Sequence, residues 1–274
     1  MAGATSDTFG AAIAAWRQWQ DAPWGRLRYT LAEHNLRRHL GDQPLRVLDV
    51  AGGNGVEAVR LAAAGHDVTV VDYSAQMLAS AHNLATSTGL SHRVTCIESD
   101  VAKLGDVVEP GTYDLVLCHN LLQWVPDVES TLITVLQPLR EDGLLSVLAA
   151  NAHSEPLRTA VRDMDLAAAL ESLDAARHFT QTFSAQVFPR TAEEVSAVLN
   201  SLGVNVIGHY GIRSVCDYIP DDERKYDATF FAELERLEIA LSDRMPYILT
   251  ARLFHLIAMK TDTKTATKAS AGRS

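Results

Sequence analysis

Cysteine is scarce in this chain, with 3 among 274 residues. Cys96, Cys118 and Cys216 have no metal-type spacing, which argues against a zinc module and a disulfide framework and suits reduced thiols; no metal is expected. Long apolar runs are missing too. The longest, Leu144 to Ala150, is interrupted by Ser146 and falls far short of the roughly 20 residues that cross a bilayer. The N-terminus has no basic segment followed by a clean apolar one. The expectation is a soluble cytoplasmic protein with no membrane partner. Positive charge is in deficit: 24 Lys and Arg against 34 Asp and Glu leave a formal charge of −10. That argues against broad binding to nucleic acid, which runs on phosphate neutralisation. A local basic face stays open, because Arg26, Arg28, Arg37 and Arg38 cluster early and Arg158, Arg162, Arg177, His178 and Arg190 recur later. The stretch 261–274 lacks apolar periodicity and is expected to be a disordered tail.

Hydrophobic residues are plentiful at 47%, enough to bury a sizeable core. Helical spacing covers 8–40, with a break at Pro23-Trp24-Gly25. β-type runs near 45–50, 67–72, 92–97, 113–118 and 143–150 then alternate with helical patterns near 55–64, 75–88 and 128–139, with Gly143 as the last turn. Such alternation predicts an α/β fold with a parallel, Rossmann-like sheet. Residues 151–190 break the rhythm with a long, largely helical stretch read as an inserted cap. Thr191 with Glu194 three residues on opens a helix as a capping box, and Gly203 ends it. Strands at 204–210 and 251–259, around a helix from Asp222 to Ser242, complete a seven-stranded, mostly parallel sheet whose last strand runs antiparallel. One domain over 1–260 is the simplest organisation, with 8–40 as an N-terminal helical lid.

The densest local signal is Val47-Leu48-Asp49-Val50-Ala51-Gly52-Gly53-Asn54-Gly55, followed by a helical segment and by Asp72 at the end of the next strand. This βαβ unit offers backbone N–H groups at a helix N-terminus and a carboxylate for ribose hydroxyls. Glycine spacing alone suits a dinucleotide as well. Charge decides: Asp49, directly before the turn, is badly placed for a pyrophosphate and well placed for the amino and sulfonium groups of S-adenosylmethionine. At the third strand's tip, Ser99-Asp100-Val101 offers a carboxylate and a backbone N–H to the adenine edge. Ala51 stands where glycine is usual, so its backbone has φ below zero or carries strain.

Asp49 through Gly55, Asp72 with Tyr73, Asp100 with Val101, and Tyr113 through His119 resemble the successive motifs of class I methyltransferases. More narrowly, Gly25-Arg26-Leu27-Arg28, His119 with Trp124, Asn151-Ala152-His153, Gly211 through Tyr218 and Pro246 through His255 resemble the bacterial tRNA 5-carboxymethoxyuridine methyltransferases. The resemblance implies S-adenosyl-L-methionine as cofactor, contacted by Arg28, Asp49, Ala51, Gly52, Gly53, Gly55, Asp72, Tyr73, Asp100, Val101 and His119. It also implies a wobble-uridine carboxylate in tRNA as methyl acceptor. The chain departs from that family at Cys216, where histidine is usual, at Gln123, where glutamate is usual, and in the sequence of the cap from 154 to 190.

Arg28 sits on a helix able to fold over the cofactor and grip its carboxylate bidentately. Trp16, Trp19 and Trp24 are expected to pack that helix pair. For the acceptor, a carboxylate needs a positive clamp rather than a base, and Arg213, Tyr218, Tyr247 and Arg252 are the candidates. Three functions stay open: esterification of tRNA, methylation of a small-molecule carboxylate or amine, and cofactor binding without transfer.

Overall fold

The structure is a computed structural model that describes residues 13–173, 178–180 and 185–261. Two helices come first, α1 (Ile13–Asp21) and α2 (Pro23–Arg37). The break falls just ahead of Pro23, because proline is accepted at the first helical position, where its missing N–H costs nothing. Gly25 lets the two helices close up: a Cβ there would lie 2.2 Å from the Trp19 carbonyl oxygen.

The core alternates as the apolar pattern requires: β1 (Arg46–Val50), α3 (Val56–Ala63), β2 (Asp67–Asp72), α4 (Ala75–Ser87), β3 (Val94–Glu98), the short α5 (Leu104–Val107), β4 (Tyr113–His119), α6 (Val128–Leu136) and β5 (Leu139–Ala150). Then come α7 (Ser154–Val161), α8 (Leu166–Ser172), the ribbon strands β6 (His178–Thr180) and β7 (Ala185–Val187), α9 (Ala192–Ser201), β8 (Val204–Ile212), α10 (Ala228–Leu241), α11 (Tyr247–Thr250) and β9 (Leu253–Lys260). The main sheet has seven strands in the order β3-β2-β1-β4-β5-β9-β8. Its first five are parallel, and β9 runs antiparallel between β5 and β8. Strands covered on both faces must be apolar on both, and Val47, Leu48, Leu115, Val116 and Leu145 are all fully buried. The order reverses between β1 and β4, so a crevice opens beyond their carboxyl ends.

Three expectations need correction. The helix predicted to 139 ends at Leu136, and the chain enters the sheet at Leu139 opposite Tyr113. Residues 140–143 then bulge out before pairing resumes at Leu115 with Leu144. The helix predicted from Asp222 begins at Ala228, because Asp227 takes the cap position and accepts from the Phe230 N–H at 2.8 Å. The segment read as largely helical holds two short helices and the β6-β7 ribbon. Ala51 resolves to the strained alternative, with φ of 56°. Thr191 and Glu194 do form the capping box. The expected tail from 262 and the start of the expected lid, 8–12, lie outside the described residues. Among the described residues no helix is long and apolar enough to cross a membrane, and no cluster of three His, Cys, Asp or Glu is arranged to hold a metal.

Candidate cofactor cavity

A cavity of about 820 Å³, partly open to solvent, lies at the reversal point, walled by the β1-α3 turn, the tips of β2 and β4, and α1 and α2. The turn is built by backbone conformations that side chains resist. Gly53 and Gly55 have φ of 57° and 72°, the left-handed region that glycine enters without strain. At Gly52 the need is space, since a Cβ would stand 2.6 Å from the Asp49 carboxyl carbon.

Asp72 closes the turn from the next strand. One carboxylate oxygen accepts the Gly53 N–H at 2.9 Å and the other the Ser74 N–H at 2.9 Å. Burial raises this carboxyl and those N–H groups pull it back, with a net rise. The tip of β4 turns at Asn120, held at φ of 56°, and brings His119, Leu121 and Trp124 into the wall. Gln20 of α1 fastens the helices over the turn, donating to Asn54 at 3.1 Å while Asn54 donates back at 2.6 Å.

Arg28 reaches the cavity from α2 with only 1% of its surface exposed. Its Nη1 lies 3.0 Å from Glu57 Oε2, and Glu57 Oε1 meets His119 Nδ1 at 2.6 Å. Burial pulls the guanidinium down, but Glu57 and its other neighbours outweigh it and hold it above its ordinary value. Glu57, despite burial, is held far below the carboxylate range by Arg28 and His119. Asp49 is driven well up, first by burial and then by Glu57.

Buried polar atoms left unpaired mark what the cavity is for. Asp49 Oδ2 has no hydrogen-bond partner, nor has Arg28 Nε. A carboxylate and a guanidinium aimed into one cavity fit the ammonium and carboxylate of an amino acid, and Asp72 with the Gly52-Gly53 turn fits a ribose. Those are the methionyl and ribose parts of S-adenosylmethionine.

Of the residues expected at the cofactor, Arg28, Asp49, Ala51, Gly52, Gly53, Asp72, Tyr73 and His119 line the cavity. Gly55 stands behind the turn as the cap of α3. Asp100 and Val101 are not part of the wall; Asp100 caps the short turn at the tip of β3 by accepting from the Ala102 N–H. It lies near enough to Tyr73 to act with burial and Asp72 in raising that hydroxyl to about 12. Sequence reasoning missed Glu57, Gln20, Asn54 and Met77. Trp16 lines the cavity, while Trp19 stacks on Trp16 at 4.8 Å.

None of the four acceptor candidates lines this cavity. Arg213 is 5% exposed, sits at φ of 63°, and donates to Asp217 at 2.7 Å and to the Trp24 carbonyl. The Tyr218 hydroxyl donates to the Thr250 carbonyl at 2.5 Å. Arg252 donates to Glu155 at 2.5 Å and to Ser154. Tyr247 is 45% exposed. Of the residues that left a local basic face open, Arg38 pairs with Asp243, Arg162 with Asp222, and Arg158 with Glu155 and Asp163.

Residues 47–143 match a family model described as a methyltransferase domain. The whole chain goes further, being 31% identical to the tRNA 5-carboxymethoxyuridine methyltransferase of Escherichia coli K12 over 245 residues, 88% of this chain and 90% of that one. It is 30% identical to a ubiquinone biosynthesis O-methyltransferase of Yersinia enterocolitica over 141 residues, 51% of this chain and 56% of that one. Among solved structures, a SAM-dependent methyltransferase of Thermotoga maritima, described as a possible histamine N-methyltransferase, superposes with a TM-score of 0.64 at 13% identity, covering 94% of this chain and all of that one. The chain therefore belongs to the class I S-adenosylmethionine-dependent methyltransferases, in the family of the Escherichia coli tRNA enzyme. It is an enzyme, and S-adenosylmethionine is its cofactor.

Proposed function

We propose that the enzyme O-methylates a carboxylate, and that the carboxylate is the 5-carboxymethoxy group of a tRNA wobble uridine. One observation carries this reading: the similarity to the tRNA enzyme runs over 88% of this chain and 90% of that one, well beyond the methyltransferase domain at residues 47–143. The ubiquinone O-methyltransferase match stops at 51%. Acceptor contacts arise in caps and loops rather than in the shared scaffold, so likeness beyond that scaffold bears on the substrate.

S-adenosylmethionine supplies an electrophilic methyl group. Arg28 and Asp49 would hold its amino-acid end and Asp72 its ribose. Leu121 and Trp124 at the tip of β4 shield the reacting centre from water, and the chain's main task is to fix approach and orientation. An acceptor carboxylate is already ionised at neutral pH and needs no base. Arg252, less buried than Arg213, and the exposed Tyr247 are the acceptor contacts among the four candidates. Glu155 occupies Arg252 until an acceptor carboxylate takes its place. Arg213 and Tyr218 support them from the interior.

The test is methyl transfer from labelled S-adenosylmethionine to tRNA carrying 5-carboxymethoxyuridine, to tRNA lacking it, and to small carboxylic acids. A base-labile methyl ester on the first alone is the expected result. Methyl on nitrogen, carbon or an alcohol oxygen overturns the carboxylate reading, and an ester on small acids alone overturns the tRNA reading.

A further inference from the structure

Behind His119 a polar chain runs through the apolar sheet. Ser146 on β5 is the residue that interrupts the Leu144–Ala150 run, and it is fully buried. Its Oγ lies 2.8 Å from His119 Nε2 and 2.8 Å from Nε2 of His255 on β9. His255 is itself fully buried, and its Nδ1 has no partner. On the other side, His119 Nδ1 meets Glu57, which holds Arg28. The cofactor cavity is thus tied to the middle of the sheet by Arg28, Glu57, His119, Ser146 and His255.

Proton counting restricts this chain. Glu57 is ionised and only accepts, so His119 carries a proton on Nδ1. Ser146 has one proton for two imidazoles, so it donates to one ring and accepts from the other. In the first arrangement His255 Nε2–H donates to Ser146, the hydroxyl donates to a bare His119 Nε2, and His255 Nδ1 is left as an unpaired acceptor. In the second, His119 is an imidazolium donating to Ser146, and the hydroxyl donates to His255 Nε2. The neutral His255 then carries its proton on Nδ1, a buried N–H with no acceptor. Orphaned buried donors are rarer than under-used acceptors, and the second arrangement also adds a charge to the interior. Burial holds His255 well below the usual imidazole range, with His119 adding to the effect, so a charged His255 does not relieve the conflict.

We propose that Ser146 and His255 are positioning residues that fix His119 as a neutral imidazole with its proton on Nδ1, keeping Glu57 an undivided counter-charge for Arg28. The groups facing this chain from the packed elements are Arg28 on α2, Asp49 on β1, Glu57 on α3, His39 after α2 and Tyr210 on β8. With His119 neutral, Glu57 balances Arg28, which leaves Asp49 and Asp72 to face a cofactor with a sulfonium charge. A proton on His119 would set a second cation in the wall against that charge. This step rests on the assignment of the cavity to S-adenosylmethionine.

Nitrogen-15 NMR of histidine-labelled, unmutated enzyme without cofactor reads the tautomer directly. The expected result is His119 protonated on Nδ1 alone, with Nε2 bare. An imidazolium, or a proton on Nε2 alone, overturns the proposal whatever the cavity binds. The functional arm uses calorimetry with S-adenosylmethionine and with S-adenosylhomocysteine, which lacks the sulfonium charge. In His255→Leu the serine is free to accept from His119 Nε2, and affinity for S-adenosylmethionine is expected to drop about threefold or more between about pH 8 and about pH 6, while that for S-adenosylhomocysteine changes less. His255→Gln, which retains an N–H donor, restores the flat profile. A folded His255→Leu enzyme with an unchanged profile refutes the coupling. If that variant does not fold, the tautomer in the unmutated enzyme still decides.

Discussion

Arg28 and Glu57 meet at 3.0 Å with the arginine 1% exposed and the glutamate 18%, so the cation over the cavity is anchored by the first turn of the helix that follows the glycine turn. Two parts of the site distant in sequence are therefore one electrostatic unit. Removing one member of a buried pair leaves the other uncompensated, which costs about 3 kcal/mol or more. Glu57→Gln is expected to lower stability by that order and to weaken S-adenosylmethionine binding. Calorimetric unfolding with a binding titration checks both, and unchanged stability would show that Arg28 finds another counter-charge.

Asp49 sets function against stability. Its folded pKa lies well above the ordinary carboxylate value because of burial and the nearby Glu57. Between the unfolded and the folded pKa the native state holds the extra proton, so stability of the cofactor-free enzyme falls as pH rises through that window. Asp49→Asn is expected to stabilise the cofactor-free enzyme at neutral pH by about 1–2 kcal/mol, a typical gain where strain is relieved at a working site, and to abolish tight cofactor binding. Denaturant unfolding with and without S-adenosylhomocysteine distinguishes the two effects. A variant less stable than the unmutated enzyme at neutral pH would refute this account.

Ala51 at φ of 56° is a strained residue in the turn. The left-handed conformation costs an L-residue about 1–2 kcal/mol, and glycine gives back part of that through unfolded-state entropy. Ala51→Gly should raise the melting temperature by about 2–4 °C with cofactor affinity kept or improved. A lower melting temperature would place the strain elsewhere.

Much of this was legible in the chain because it is local. Asp49, the glycine turn and Asp72 declare themselves by spacing, and the alternation of apolar runs gives the mostly parallel sheet. Glu57 was not legible: an acid in a first helical turn is equally well explained by the helix dipole, and only the fold carries Arg28 and His119 to it. The pairings of Arg213 with Asp217 and Arg252 with Glu155 have the same character, since a sequence shows arginines and not which of them are already engaged. The β6-β7 ribbon hid in a segment whose alanine and leucine content reads as helix.

Asp72→Asn is a cleaner probe of the ribose contact than Asp72→Ala, because alanine also strips acceptors from the Gly53 and Ser74 N–H groups. Either change loses charge-assisted bonds worth about 1.5–3 kcal/mol each, so affinity for S-adenosylmethionine should fall at least about tenfold in a folded protein. Wild-type affinity in folded Asp72→Asn would remove this carboxylate from the site.

Arg252 and Arg213 should separate when each is replaced by alanine. Arg213 is 5% exposed, left-handed in its backbone, and tied to Asp217 and the Trp24 carbonyl, so Arg213→Ala leaves a buried carboxylate unpaired and chiefly costs stability. Arg252 keeps 28% of its side chain exposed, and its partner Glu155 is pushed up by burial but held lower, on balance, by Arg252 and Arg158. Because Arg158 remains, Arg252→Ala leaves Glu155 with a counter-charge and the fold intact. If Arg252 receives the acceptor carboxylate, turnover falls while S-adenosylmethionine affinity stays nearly unchanged, since a contact made only to the acceptor leaves cofactor binding alone. Arg252→Lys keeps the charge but not the planar fork, and is expected to recover only part of the rate. Full activity in Arg252→Ala, measured on tRNA bearing the carboxymethoxy group, would exclude this residue from acceptor binding and leave Tyr247 and the β4 tip to position it.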